Sequence, residues 1–133
     1  MSEYTKPLPK PSTTSRPFWE AAKRHELTLQ RCGACGKFMY YPRPQCPHCF
    51  SDRLSWERCS GKGKVYSYTV VRRASSRAFA DAPYILAIVE LAEGPRMTTN
   101  VVAPPEQVRV DMPVTVFFDD VTPEHTLVKF KPA

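Results

Sequence analysis

Four cysteines stand in two matched pairs, Cys32-Gly33-Ala34-Cys35 and Cys46-Pro47-His48-Cys49, separated by ten residues. Each pair presents two sulfurs from one tight knuckle, and Gly33 and Gly36 supply the backbone freedom such a loop needs. Two knuckles brought together form a tetrahedral thiolate cage, which suits zinc or iron. The spacing is shorter than in the commonest fingers but sufficient for a ribbon hairpin. Iron in such a cage belongs to rubredoxin-type carriers, which are small, acidic and free-standing. This segment is basic and continues into a longer β-rich region, so one zinc ion is expected. Four thiolates leave no open position for water or substrate, so its role is structural. Binding would contribute on the order of 10–16 kcal/mol to folding of the ribbon.

Little else in the chain could do chemistry. Cys59 is an odd fifth thiol with no activating neighbour in sequence, and it reads as a small apolar filler at a junction. Asp119-Asp120 is an adjacent carboxylate pair whose members alternation points in opposite directions. His48 lies inside a knuckle, and His25 and His125 are isolated. No nucleophile elbow, zinc-protease helix, phosphate loop or dinucleotide fingerprint is present. The sequence thus offers no self-contained active site.

The elements that must position the cysteines are short. Residues 1–16 hold Pro7, Pro9 and Pro11 among Ser, Thr and Lys and read as a flexible arm. Pro17 suits the first position of a helix running through Phe18-Trp19-Glu20-Ala21-Ala22 to Leu27, with one apolar side. Leu27 to Arg31 alternates as a strand, Phe38 to Pro42 gives a second, and residues 50–58 close the ribbon, so that 17–58 form one unit. From 59 to 133 the texture is β. Strands are expected at 65–73, 84–91, 96–102, 112–121 and 126–130, with a polar loop from Ala74 to Ala82. A proline-opened helical turn at 103–108 falls between the third and fourth. Five short strands in this arrangement match a closed OB-type barrel, which leaves fewer bare edges than an open sandwich. The fold class is therefore mainly β.

Charge and hydropathy bound the partners. The net charge is +6, and residues 1–64 carry 12 basic and five acidic side chains against seven and eight in 65–133. A basic surface of this kind suits nucleic acid, phosphorylated ligands or an acidic protein face, or is simply solvated. The longest apolar run, Tyr84 to Val89, is far short of the roughly 18–20 residues of a membrane span. The first residues show no secretory signal, which points to a reducing cytoplasm.

The ordered set Phe18-Trp19-Glu20, Leu29-Gln30-Arg31-Cys32-Gly33-Ala34-Cys35-Gly36, Tyr41-Pro42-Arg43, Cys46-Pro47-His48-Cys49, Trp56 and Ser60-Gly61-Lys62-Gly63-Lys64-Val65-Tyr66-Ser67-Tyr68-Thr69 resembles a prokaryotic family. Its members join N-terminal helices, a rubredoxin-like zinc ribbon and a C-terminal OB-fold. Residues 84–91 and 108–114 are similar as well; Asp111 departs, standing where the family has Gly before Met112. The resemblance implies a non-catalytic accessory subunit of thiolase-like enzymes (acyl-CoA thiolases, condensing acyltransferases, aldol-lyases) that binds or channels acyl-CoA. Coenzyme A joins an anionic phosphoadenosine to an apolar arm. Lys62, Lys64, Arg72 and Arg73 are candidate phosphate contacts, and Phe18, Trp19 and Tyr41 candidate apolar contacts. The alternative is a single-stranded nucleic-acid binder, since zinc ribbons and OB barrels both serve that purpose. Against it, the barrel half lacks the basic excess such a groove needs. No membrane role is expected.

Overall fold

The computed structural model describes residues 6–73 and 83–133. The expected loop at 74–82 and the first five residues of the expected arm lie outside that range. Residues 6–12 carry no regular structure and lead through a turn into helix α1, Arg16–Lys23. Pro17 sits in its first turn, where a missing N–H costs nothing. Phe18, Ala21 and Ala22 are buried on one face.

The helix ends four residues before the expected Leu27, and the cause is local. His25 takes a left-handed φ of 61°. Its N–H donates to Ala22 O at 2.8 Å and the Glu26 N–H to Ala21 O at 2.9 Å. This paired closure satisfies the last carbonyls and turns the chain. Leu27 is thereby released toward strand β1, Thr28–Cys32.

Strand β1 is the centre of a three-stranded antiparallel sheet, flanked by β2 (Phe38–Met39) and β3 (Leu54–Arg58). The knuckles grow from its far end, because Cys32 is the last residue of β1. The barrel follows with β4 (Lys62–Val71), β5 (Tyr84–Leu91), β6 (Arg96–Asn100), β7 (Pro113–Thr122) and β8 (His125–Pro132). Its hydrogen-bonded order is β6-β5-β4-β7-β8. A parallel bridge from Val101 to Phe130, reinforced by the Val102 N–H on Phe130 O at 2.8 Å, draws the two outer strands together. The five strands therefore form a nearly closed barrel of the expected OB type, with a 3₁₀ turn at Pro105–Gln107 between β6 and β7.

Alternation explains the filling of the barrel. In β5, Ile85, Ala87, Val89 and Leu91 are buried, while Leu86 faces outward. Ribbon and barrel share one apolar cluster: Phe18 from α1 and Leu27 and Leu29 from the ribbon meet Val65, Val89 and Phe130. Burying each such side chain stabilises by roughly 1.5–3 kcal/mol, so this seam holds the ribbon against the barrel. The knuckle end keeps a separate small cluster of Cys32, Met39 and Cys46, with Leu54 packed against it.

Two glycines fix the junction. Gly61 has φ 81°, and a Cβ there would lie 2.4 Å from Val116 Cγ1. Gly63 lies so close to β5 that a Cβ would come 2.7 Å from Glu90 O. Only glycine lets the strands approach this closely. Asp111 adopts φ 68°, the conformation for which a glycine is suited.

Candidate metal centre

The cage is assembled by hydrogen bonds that each knuckle makes to itself. Cys32 N–H donates to Lys37 O and Gly36 N–H to Cys32 O, both at 2.9 Å, closing the first loop. Cys46 N–H donates to Ser51 O and Phe50 N–H to Cys46 O, again at 2.9 Å, closing the second. The two loops meet where the Gly33 N–H donates to Arg53 O at 2.6 Å. Gln30, 6% exposed, ties down the connecting segment by donating to Arg43 O at 2.9 Å and accepting from Arg43 N–H at 2.8 Å.

These loops place all four sulfurs within 4.8 Å of one another. Cys32 and Cys49 Sγ are 3.5 Å apart, and Cys35 and Cys46 Sγ 3.7 Å. A regular tetrahedron with zinc–sulfur bonds of about 2.3 Å has edges of about 3.8 Å, so the sulfurs fit one ion. The inner sulfurs receive amide donors: Ala34 at 3.3 Å and Cys35 at 3.4 Å on Cys32, and His48 at 3.3 Å on Cys46. Such donors favour thiolate over thiol. With the cage free of metal, the Cys35 amide, opposed by burial and aided by the Ala34 amide, brings the Cys32 thiol down to about 6. Burial pushes Cys46 up, but the His48 and Cys49 amides outweigh it and the net shift is downward. The Ser51 amide lowers Cys49, yet the neighbouring sulfurs and burial together raise it to about 11. An ion would convert all four to thiolates. Its site would then carry two net negative charges, which offset part of the basic excess of the N-terminal half.

Cys59 is not part of the cage. It is 6% exposed, and burial, helped by the Glu93 and Glu57 carboxylates, pushes its thiol up to about 12. A thiol so placed stays protonated and packs as an apolar filler.

A family model described as the ChsH2 rubredoxin-like zinc ribbon domain matches residues 19–55, and one described as the ChsH2 C-terminal OB-fold domain matches 56–119. A DUF35 domain-containing scaffold protein of Methanothermobacter thermautotrophicus is 34% identical over 84% of this chain and 85% of its own length. The chain belongs to the DUF35 family. Its ribbon is a zinc ribbon, with Cys32, Cys35, Cys46 and Cys49 positioned for one metal ion. A probable enoyl-CoA hydratase alpha subunit of Thermomonospora curvata is 43% identical over 87% of this chain. The DUF35 chain spans only 37% of that relative's length. Among solved structures, a chain of an Ltp2-ChsH2(DUF35) aldolase is 39% identical with a TM-score of 0.84, covering 93% of this chain and 98% of that one. A DUF35 protein of Sulfolobus solfataricus, 16% identical with a TM-score of 0.69, shares the fold.

The aromatic candidates converge. Phe18 lies 5.0 Å from Trp19 and 6.5 Å from Tyr41, ring centre to ring centre. Phe18 itself is 2% exposed and belongs to the shared core, so Trp19 and Tyr41 form the reachable part of the group. Tyr40, which sequence reasoning did not single out, completes it at 5.8 Å from Phe18. Its place directly after the β2 pair Phe38–Met39 was the available signal. Trp19 and Tyr40 line a hollow of about 190 Å³ with Thr98, Asn100, Leu127 and Lys129. The Trp19 Nε1 is buried without an acceptor.

The cationic candidates do not converge. Lys62 and Lys64 stand at the start of β4, whereas Arg72 and Arg73 follow its end, with about 26 Å of strand between Lys64 and Arg72. Lys64 is also 3.8 Å from Glu90 and 3.6 Å from Asp111, which offset its charge. Asp119 and Asp120 do point apart. Asp119 pairs with Lys129 at 2.6 Å, while Asp120 accepts from Thr126 and bonds His25 at 2.9 Å. Thr126 and His25 together hold the Asp120 carboxyl below its usual range. The His25 ring also stacks on Phe118 at 5.3 Å, so this pair latches the end of α1 to the barrel.

Proposed function

We propose that this DUF35 protein is a non-catalytic subunit that supports a thiolase-like enzyme and binds its acyl-CoA. What carries the reading is the likeness to the chain of the Ltp2-ChsH2(DUF35) aldolase, which is matched over 98% of its length. A unit of this extent therefore occurs as one chain of an aldolase whose name joins ChsH2(DUF35) to a second component, Ltp2. The hydratase alpha subunits of Thermomonospora curvata and Mycobacterium tuberculosis support it from another side. Their names specify CoA thioesters, and the matched region is 37% and 36% of their lengths. The described residues agree: their metal cage is closed by four sulfurs, and the Cys59 thiol is held protonated.

In this reading the hollow beside Trp19 and Tyr40 takes apolar parts of the ligand or partner, and the exposed Tyr41 ring, 5.3 Å from that of Tyr40, is a further apolar contact. Lys62 and Lys64 at one end of β4 and Arg72 and Arg73 at the other act as separate anion contacts. The nucleic-acid alternative is less well supported. The outward positions of β5 and β6 are Tyr84, Leu86, Ile88, Glu90, Arg96, Thr98 and Asn100, and Glu90 pairs with Arg96 at 3.1 Å. Tyr84 and the exposed Tyr66 and Tyr68 of neighbouring β4 supply rings, but the charges on β5 and β6 cancel, whereas a single-strand groove needs an excess of cations. The test mixes the purified zinc-loaded chain with a purified thiolase-like subunit from the same organism and titrates acetyl-CoA. Co-elution of the two proteins and saturable binding are expected. A chain that binds neither, or that binds single-stranded oligonucleotides instead, overturns the proposal.

A further inference from the structure

The two metal knuckles obey one plan, and one residue breaks it. In the first, Gly36 donates its N–H to the carbonyl of the leading cysteine, and the Ala34 amide reaches that cysteine's sulfur at 3.3 Å. In the second, Phe50 and His48 make the same two bonds, with the sulfur contact again at 3.3 Å. Phe50 is thus the counterpart of Gly36, and both have left-handed backbones, at φ 64° and 78°. Glycine enters that region freely, whereas a bulky side chain is disfavoured there by contact between its Cβ and a carbonyl.

Among the described residues, the ring gains little apolar burial to offset this cost. Phe50 is 76% exposed, the largest value among the described large apolar side chains, and it joins neither apolar cluster. Its sequence neighbours His48, Asp52 and Arg53 are exposed as well, so the aromatic is flanked along the knuckle by polar side chains bearing both signs of charge. An aromatic anchor ringed by polar groups is the anatomy of a protein–protein hot spot. A lipid surface calls for several apolar side chains backed by basic ones, a pattern these mixed charges do not give.

We propose that Phe50 anchors the second zinc knuckle in an apolar pocket of a partner protein. The partner's identity rests on the function proposed above, namely the thiolase-like enzyme subunit. The knuckle would present the ring rigidly, because the metal and the Phe50–Cys46 bond fix the backbone beneath it.

The experiment compares wild type, Phe50→Ala and Phe50→Gly as full zinc-loaded chains, after metal analysis shows one ion in each. Binding to the purified subunit is measured by calorimetry, thermal unfolding by circular dichroism, and lipid association by flotation with phosphatidylglycerol/phosphatidylcholine vesicles. Both variants should bind the subunit at least tenfold more weakly. Phe50→Gly should also raise the thermal midpoint by about 3 °C, because glycine relieves the backbone while the lost ring is mostly exposed. Unchanged affinity in both variants overturns the anchor and leaves the proposed function standing. A wild-type chain that binds no such subunit overturns both. A lowered or unchanged midpoint in Phe50→Gly, or vesicle flotation that depends on Phe50, also overturns the anchor.

Discussion

Removing the metal should open one end of the ribbon and leave the rest of the chain folded. Around the cage, the apolar support is Met39, which is buried, and Leu54, which is half-buried. At roughly 1.5–3 kcal/mol for each fully buried side chain, the two contribute at most about 6 kcal/mol. The ion contributes on the order of 10–16 kcal/mol, so the knuckles depend on it. The other end of the same sheet is held differently. Leu27 and Leu29, 2% and 0% exposed, sit in the large core with Val65, Val89 and Phe130. If the ion alone held the ribbon, the melting boundary would lie at its edges, residues 27 and 58. The packing moves it inward, to about Gln30 on β1 and its partner Trp56 on β3. Hydrogen exchange read by mass spectrometry, before and after chelation, measures this directly. The amides of Cys32, Gly33, Gly36, Cys46 and Phe50 should lose protection. Those of Cys59, bonded to Leu27 O at 2.7 Å, and Val65, bonded to Met112 O at 3.0 Å, should keep it. Simultaneous opening of the barrel amides would refute the reasoning, and so would knuckle amides that stay protected once metal analysis shows the ion gone.

Two substitutions probe the junctions in opposite directions. Gly61→Ala forces a Cβ to within 2.4 Å of Val116 Cγ1 at a left-handed position and should destabilise by about 2–4 kcal/mol, read from denaturant midpoints. Asp111→Gly should stabilise by about 0.5 kcal/mol in the same assay. It frees a backbone at φ 68° and gives up only an exposed 3.6 Å contact with Lys64.

Much of this molecule is determined by local rules that sequence carries openly. The paired C-x2-C spacing specifies the cage, because four sulfurs on two tight loops have few other ways to be satisfied. Alternation specifies β5, whose buried set Ile85, Ala87, Val89 and Leu91 follows the period of a strand. Proline marks the start of α1, though its end depended on His25 taking a left-handed conformation that is uncommon for any residue but glycine. Other features needed the chain folded. Trp19, Tyr40 and Tyr41 become one group only when Phe18 of α1 meets the segment that follows β2, whereas Lys64 and Arg72 stay apart because an extended strand separates them. His25 meets Asp120 across 95 residues of sequence. The ribbon and the barrel, distinct in composition, share an apolar seam through Phe18, Leu27 and Leu29. The physical reason is range. Hydrogen-bonded turns and side-chain periodicity act over a few residues and can be read in order along the chain. Burial, charge pairing and surface exposure depend on which distant segments pack together, and that is decided by the whole fold.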